Sequence, residues 1–128
     1  MCTVCGTSEP PDNPNFNQHT MSKQTWTLVS NRRPHMCDGV EVTKENNCFT
    51  VYRYIEDTDE DGDTVYSIDE YLKWIPEQTF KREIKATSDS EVIRWIRTHL
   101  IKRQSNSIDA IMAFLDEHHV PYEYEASV

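Results

Sequence analysis

The chain has 128 residues, of which 37% are hydrophobic and 10% aromatic, and its formal net charge is −9 at pH 7. This length suits one folded domain, and a disordered chain of this charge would carry fewer aromatic residues. With only three glycines the sequence has no phosphate-binding glycine pattern, which argues against a nucleotide-binding enzyme. No apolar run is long enough to span a membrane and no secretion signal follows Met1, so we expect a cytoplasmic protein that does not bind membranes.

Residues 1–24 are polar, contain three prolines and show no hydrophobic periodicity. Such a segment is typical of an arm or loop and not of a packed core. We therefore predict an N-terminal arm over residues 1–24, which a metal would tether, and a single α+β domain over residues 25–128.

Alternating apolar and polar side chains over residues 25–30 predict a half-buried strand. Residues 31–39, which contain one proline and an Asp-Gly pair, predict a loop. Residues 40–43 and 48–55 predict the two strands of a hairpin, because the two asparagines between them tolerate the positive φ that a tight turn requires.

Beyond an acidic turn, residues 64–67 predict a short return strand. Apolar residues then repeat at i, i+3, i+4 and i+7 between Ile68 and Ile75, which predicts a short helix that begins in a capping box and ends before a proline. Residues 80–86 predict one further strand.

Two helices follow, the first capped by Ser88 or Asp89 and the second by Asn106 or Ser107. Residues 122–125 predict an edge strand after them. Together these elements predict an α+β fold, an antiparallel β-meander of about four to five strands with a C-terminal helical hairpin packed on one face.

The main functional feature of the sequence is an acidic hairpin. Residues 54–70 contain eight acidic residues and no basic one, so the remainder of the chain is close to neutral. The eight are Glu56, Asp57, Asp59, Glu60, Asp61, Asp63, Asp69 and Glu70. Concentrated charge steers association with an oppositely charged surface. We therefore predict a small acidic, non-catalytic binding protein, an inhibitor or regulatory adaptor whose hairpin engages a basic surface of a partner protein, including a nucleic-acid-binding one.

The same turn suggests two other interpretations, a solvated turn without a ligand and a calcium loop. Counted from Asp57, acidic residues occupy positions 1, 3 and 5 of an EF-hand loop and Gly62 occupies position 6. Position 12, however, is Ile68 instead of glutamate, and the segment before the loop is strand-like. The pattern is therefore incomplete for calcium.

The cysteines suggest zinc as a structural cofactor. Cys2 and Cys5 have the CxxC spacing of a metal-binding pair, and His35 with Cys37 offers a second pair. Such a site would tie the arm to the sheet, and it gives the alternative function, a zinc-stabilised protein-interaction adaptor.

A small metal-dependent hydrolase is the third hypothesis. Its metal ligands and assisting carboxylates would be His118, His119, Asp116, Glu117, Glu123 and Glu125. A helix C-terminus also favours histidine through the helix dipole alone, so this tandem pair carries no chemistry by itself.

Direct nucleic-acid binding is not expected. Residues 81–103 contain seven basic and three acidic residues, but residues 104–128 contain no Lys or Arg. A recognition helix without positive charge would be repelled by phosphates in the major groove.

Overall fold

The computed structural model describes residues 23–127. Five strands form one antiparallel sheet in the order β1-β2-β3-β4-β5. They are β1 (Gln24–Arg33), β2 (Met36–Glu45), β3 (Cys48–Thr58), β4 (Thr64–Pro76) and β5 (Glu123–Ser127). The helices between β4 and β5 are α1 (Glu77–Ile84), α2 (Asp89–Thr98), a 3-10 turn (Lys102–Gln104) and α3 (Asp109–Glu117). The predicted α+β class and antiparallel meander are confirmed; of the predicted arm, residues 1–22 lie outside the described part of the chain.

The helices cover one face of the sheet, and the core lies between them. Burial alternates along β3, where Phe49, Val51 and Arg53 are buried while Tyr52 and Tyr54 on the other face are partly exposed. This alternation is the expected pattern for a strand packed on one side. The fully buried core side chains from sheet and helices are Val40, Val42, Phe49, Val51, Leu72, Ile75, Phe80, Val92, Ile96, Ile108, Ile111 and Leu115.

The predicted turn between the second and third strands is confirmed. Asn46 and Asn47 have φ values of 55° and 60°, as a two-residue hairpin turn with a type I′ backbone requires. The loop predicted over residues 31–39 is wrong, because β1 continues to Arg33 and β2 begins at Met36. The strands persist there because ladder hydrogen bonds come from the backbone and do not need apolar side chains.

The helix predicted between Ile68 and Ile75 is also wrong, since this segment belongs to β4. Val51 pairs with Leu72 and Phe49 pairs with Ile75, so β4 contains one extra residue there. Trp74 occupies this bulge with a φ of 62°. The extra residue places two inward-facing side chains three positions apart, which imitates helical spacing.

Residues 80–86, predicted to be a strand, mostly lie in α1. Phe80 is fully buried and Ile84 packs beside the core one helical turn later. The same apolar spacing fits a strand and a helix, and here the helix forms because the segment closes against the covered sheet face.

The two later helices are confirmed. Ser88 is the N-cap of α2, where its Oγ accepts a hydrogen bond from the Glu91 N–H at 3.2 Å. The N-cap of α3 is Ile108, which has no capping side chain, and not the predicted Asn106 or Ser107. The Ser107 Oγ still accepts a hydrogen bond from the Asp109 N–H at 3.1 Å. The predicted edge strand is confirmed as β5. Among the described helices, none is long and apolar enough to cross a membrane.

Candidate functional site

The end of the β3–β4 hairpin is a tight turn organised by one aspartate. Asp59 Oδ1 accepts hydrogen bonds from the backbone N–H groups of Asp61 and Asp63, each at 2.9 Å. The N–H of Gly62 donates to the Asp59 carbonyl oxygen at 3.1 Å, and its φ of 86° suits glycine. The turn therefore has a defined backbone conformation, stabilised by a carboxylate of its own.

Six of the eight acidic residues lie together at this end of the sheet. This acidic tip comprises Glu56, Asp57, Asp59, Glu60, Asp61 and Asp63. Glu60, Asp61 and Asp63 are exposed. Within residues 23–127, no carboxylate of the acidic tip forms an ion pair. The acidic tip therefore presents concentrated negative charge that is not paired within the described part of the fold.

The turn between β1 and β2 lies on one side of the acidic tip. The backbone N–H of Thr58 donates to the His35 carbonyl oxygen at 2.8 Å, which joins the two hairpin ends. Arg32 and Arg33 line a shallow groove there together with Glu56. Positive charge therefore flanks the acidic tip on the side of β2.

On the other side of the acidic tip, β4 presents apolar side chains to solvent. Val65 is 62% exposed and Tyr66 is 46% exposed, immediately after the turn. The sequence predicted Val65 and Tyr66 to lie in a strand but indicated no role for them at the functional site. One signal in the sequence could have identified them. Val65 and Tyr66 are both large and apolar, and consecutive strand residues point to opposite faces of the sheet. A single helical layer therefore cannot bury both.

Asp69 does not belong to the acidic tip. It lies on the uncovered face of the sheet, where its Oδ1 accepts a hydrogen bond from the Tyr52 hydroxyl at 2.7 Å. The Tyr52 ring stacks on Tyr54 and Tyr71, with ring centroids 5.6 Å and 4.7 Å apart. Burial and this hydrogen bond raise the pKa of Tyr52 well above its usual value. Asp69 therefore orients a row of tyrosines.

Glu70 is separated from the acidic tip as well. It faces the helices, where Arg53 Nη1 donates to its Oε1 at 2.5 Å. Its second oxygen accepts from the Tyr124 hydroxyl of β5 at 2.7 Å, and this hydrogen bond raises the pKa of Tyr124. Both carboxylate oxygens therefore have partners inside the fold.

The predicted zinc ligands are only partly within the described residues. Cys2 and Cys5 lie outside them. His35 is in the β1–β2 turn, and Cys37 Sγ lies 3.8 Å from Glu56 Oε1. Residues 23–127 contain no group of three or more His, Cys, Asp or Glu side chains arranged to hold a metal ion. Zinc remains a prediction, and elemental analysis of the purified chain tests it.

The geometry of the acidic turn argues against a calcium site. Strands, and not helices, flank the acidic turn on both sides. Asp59 uses one carboxylate oxygen to accept two backbone N–H groups, so this oxygen is not free for a cation. The turn therefore lacks the helix–loop–helix framework of an EF-hand.

The residues of the hydrolase hypothesis make contacts with different parts of the fold. His118 Nδ1 lies 3.1 Å from Glu83 Oε1 of α1, and the His118 ring stacks on Phe114. Asp116 accepts a hydrogen bond from the Tyr122 hydroxyl at 2.7 Å, and burial together with this bond raises the pKa of Tyr122 to about 12. His118 and Asp116 thus serve contacts between elements.

A second charged cluster, which the sequence did not indicate, joins three elements. Lys44 Nζ of β2 lies 2.9 Å from Glu77 Oε2 and 3.0 Å from Asp89 Oδ2, and Lys81 contacts the same two carboxylates. Burial opposes the charged forms, but the hydrogen bonds outweigh it. The pKa values of both lysines are therefore raised and those of both carboxyls are lowered.

Comparisons with known proteins add no relative to this description. No protein-family model, no curated protein and no solved structure gives a significant match to the chain.

Proposed function

We propose that this protein is a non-catalytic binding protein, an inhibitor or regulatory adaptor whose acidic tip engages a basic surface of a partner protein. The eight acidic residues of the hairpin fall into two groups, and the difference between the groups is the observation that supports the proposal. Asp69 and Glu70 accept hydrogen bonds from side chains of the neighbouring strands, whereas Glu60, Asp61 and Asp63 are exposed to solvent. In the described residues, no carboxylate of the acidic tip forms an ion pair.

The acidic tip is suited to recognition because its shape is set before binding. The hydrogen bonds of Asp59 fix the turn, and Thr58 is bonded to the neighbouring β1–β2 turn. A preorganised charged surface loses little conformational entropy on association. Its concentrated charge would speed encounter with a basic partner, most strongly at low ionic strength.

Exposed apolar side chains next to the acidic tip give the interface its second component. Val65 and Tyr66 border the charge on the β4 side. Interfaces commonly combine a desolvated apolar or aromatic centre with a polar rim, and the charges at the rim mainly set rate and specificity. We expect the partner to place an apolar contact on Val65 and Tyr66 while its Lys and Arg side chains face the acidic tip.

A nucleic-acid-binding surface is one basic surface that fits this proposal, because such surfaces are built to meet phosphates. Competition distinguishes it from other basic partners. If the partner uses its nucleic-acid site, duplex DNA will displace it from the acidic tip. If duplex DNA and this protein bind the partner at the same time, the protein does not occupy the nucleic-acid site. The proposal then holds only for a different basic surface of the partner.

Charge reversal tests the proposal. The double substitution Glu60→Lys and Asp61→Lys changes the charge of the acidic tip by four units while leaving the Asp59 acceptor in place. The matched control reverses two exposed acidic residues outside the acidic tip, Glu117→Lys and Glu123→Lys, of which Glu123 lies opposite Lys73 in the part of β4 that pairs with β5. We expect the wild type and the control to retain the same proteins from a cell extract, and the variant of the acidic tip to lose them.

Retention should also decrease as salt is raised from low to physiological concentration. Circular dichroism and thermal unfolding establish that both double variants are folded. If the variant of the acidic tip retains the same proteins as the wild type, the acidic tip is not the binding surface and the proposal is wrong.

A further inference from the structure

The outer edge of β4 is only partly paired. β5 pairs with β4 from Asp69 to Lys73, opposite Ser127 to Glu123. Residues 64–67 pair with β3 on their inner side. On their outer side, the described part of the chain supplies no strand. Backbone N–H and C=O groups along this edge are therefore directed away from the sheet, as at any open edge.

The side chains of this open edge are unusually apolar for an exposed position. Four large hydrophobic side chains of the described residues are exposed, and two of them, Val65 and Tyr66, are consecutive here. Successive strand residues point to opposite faces, so one lies on each face of the sheet. A segment added to the edge would contact both. Natural edges are more often protected by lysine, proline or a bulge at such positions.

We propose that residues 64–67 bind an extended, Lys- or Arg-containing segment of the partner as an additional strand next to β4. This inference rests on the proposed function and names the form in which the basic partner is recognised. In this mode the backbone hydrogen bonds provide affinity, and alternate side chains provide specificity.

The charge around the edge selects a basic occupant. Glu56 and Asp57 of β3 lie directly opposite Ser67 and Tyr66 of β4, and Asp63 immediately precedes the edge. Adjacent strands are about 4.8 Å apart, so an added strand would lie about two strand spacings from β3, within reach of a lysine side chain. Basic side chains of the added strand would therefore meet carboxylates on both faces of the sheet.

The same charges disfavour two other possible occupants of this edge, a second copy of the chain and residues 1–22. A second copy would bring its own acidic tip or Asp69 next to the first, and like charges facing each other across strands are destabilising. Residues 1–22 contain Glu9 and Asp12 but no Lys or Arg, so they offer no charge complementarity to this edge.

A peptide titration of the full-length chain tests the inference. The probe is a capped hexapeptide with the order Lys-Lys-Val-Val-Lys-Lys, which carries lysine and valine on both faces of an extended strand. Its matched control carries a methyl group on every backbone nitrogen. A glutamate–valine hexapeptide is the charge control. Binding is followed by 15N-edited NMR, which reports separately on the amides of residues 64–67 and on those of Glu60 and Asp61.

We expect the lysine–valine peptide to shift the amides of residues 64–67 and to slow their hydrogen exchange. N-methylation should weaken binding about tenfold or more, because it removes the backbone donors while keeping the charge. The glutamate–valine peptide should not bind.

Three results would overturn strand addition. Equal binding of the methylated peptide, with shifts confined to Glu60 and Asp61, would reject the added strand while leaving the acidic tip as a binding surface. Binding of the glutamate–valine peptide at the same edge would reject the basic occupant. If no basic peptide shifts the amides of residues 64–67, the strand addition is wrong, and the charge-reversal experiment decides the proposed function separately.

Discussion

Arg53 of β3 and Glu70 of β4 form a partly buried ion pair beneath the connection between α2 and α3, with side chains 11% and 16% exposed. Arg53 also donates from Nε to the Ser105 carbonyl oxygen at 3.1 Å and from Nη2 to the Gln104 carbonyl oxygen at 3.2 Å. Glu70 in turn holds Tyr124 of β5. One pair of sheet residues therefore fixes both the interhelical connection and the edge strand.

Substitution Arg53→Met should destabilise the fold by about 2 kcal/mol, because it leaves a partly buried carboxylate and two carbonyl groups without their charged donor. Urea unfolding followed by circular dichroism measures the change. Lys73→Met is the control, since Lys73 pairs with the exposed carboxylate of Glu125. Little change is expected there. Equal effects of the two substitutions would show that the Arg53 contacts do not stabilise the fold.

The turn of the acidic tip should depend on an acceptor and not on a charge at Asp59. Asp59→Ala removes two backbone hydrogen bonds and should destabilise the fold by about 1 kcal/mol. Asp59→Asn keeps an acceptor oxygen and should remain close to the wild type. Chemical denaturation compares the two variants, and NMR shifts of Asp61 and Asp63 report on the turn itself. A destabilising Asp59→Asn would instead assign the effect to the charge.

Deletion of Trp74 should be tolerated. Removing the bulge residue would restore strict alternation in β4, with Leu72 and Ile75 still facing the core. It would also remove a non-glycine residue from the left-handed region. Deletion of Tyr71 is the contrasting change, because it would turn Leu72 to the uncovered face. We expect a folded protein only for the first deletion, as judged by amide NMR dispersion. If neither deletion folds, the bulge is required.

Stability should decrease in acid through the four-charge cluster. Glu77 and Asp89 have folded-state pKa values below their ordinary values of 4.5 and 3.8. The unfolded state therefore binds more protons as the pH falls below these values, so their stabilisation is present at neutral pH and is lost in acid. The double variant Glu77→Gln and Asp89→Asn should be less stable at pH 7 by about 1 kcal/mol, given partial solvent screening.

This difference should shrink as the pH falls below the ordinary pKa values of these two carboxyls, because acid protonates them first in the unfolded wild type and only at lower pH in the folded protein. Urea unfolding at several pH values measures it. Glu60→Gln with Asp61→Asn makes the same chemical changes at exposed positions, and we expect no loss of stability from it at neutral pH. A difference between wild type and the cluster variant that is independent of pH would contradict the electrostatic explanation.

Much of the fold could be predicted from local signals. The asparagine pair fixed the β2–β3 turn, alternation marked β3, and Ser88 marked the start of α2. Each of these signals acts between residues close in sequence, so it is visible in the chain itself.

The errors came from patterns with two solutions. An extra residue at Trp74 made Leu72 and Ile75 look helical, and the spacing of Phe80 and Ile84 suited both a strand and a helix. Local propensity could not decide between them, because packing against the covered sheet face determines the outcome.

The sequence predicted the negative charge of the site but only partly which residues form its surface. The sequence identified all eight acidic residues, but it could not separate Asp69 and Glu70 from the acidic tip. Their partners, Tyr52, Arg53 and Tyr124, become neighbours only when β3, β4 and β5 pair. Such a distinction requires the register of the sheet.

The placement of all the helices between β4 and β5 has a consequence for the order of folding. Strands β1 to β4 are joined by short turns, so their pairing requires only local loop closure. Residues 77–122 separate β4 from β5, so this last pairing closes a long loop, and we expect it to form after the helices. During synthesis and refolding, the whole outer edge of β4 is therefore exposed until late. We expect this edge to be where immature chains aggregate and where a chaperone would bind first.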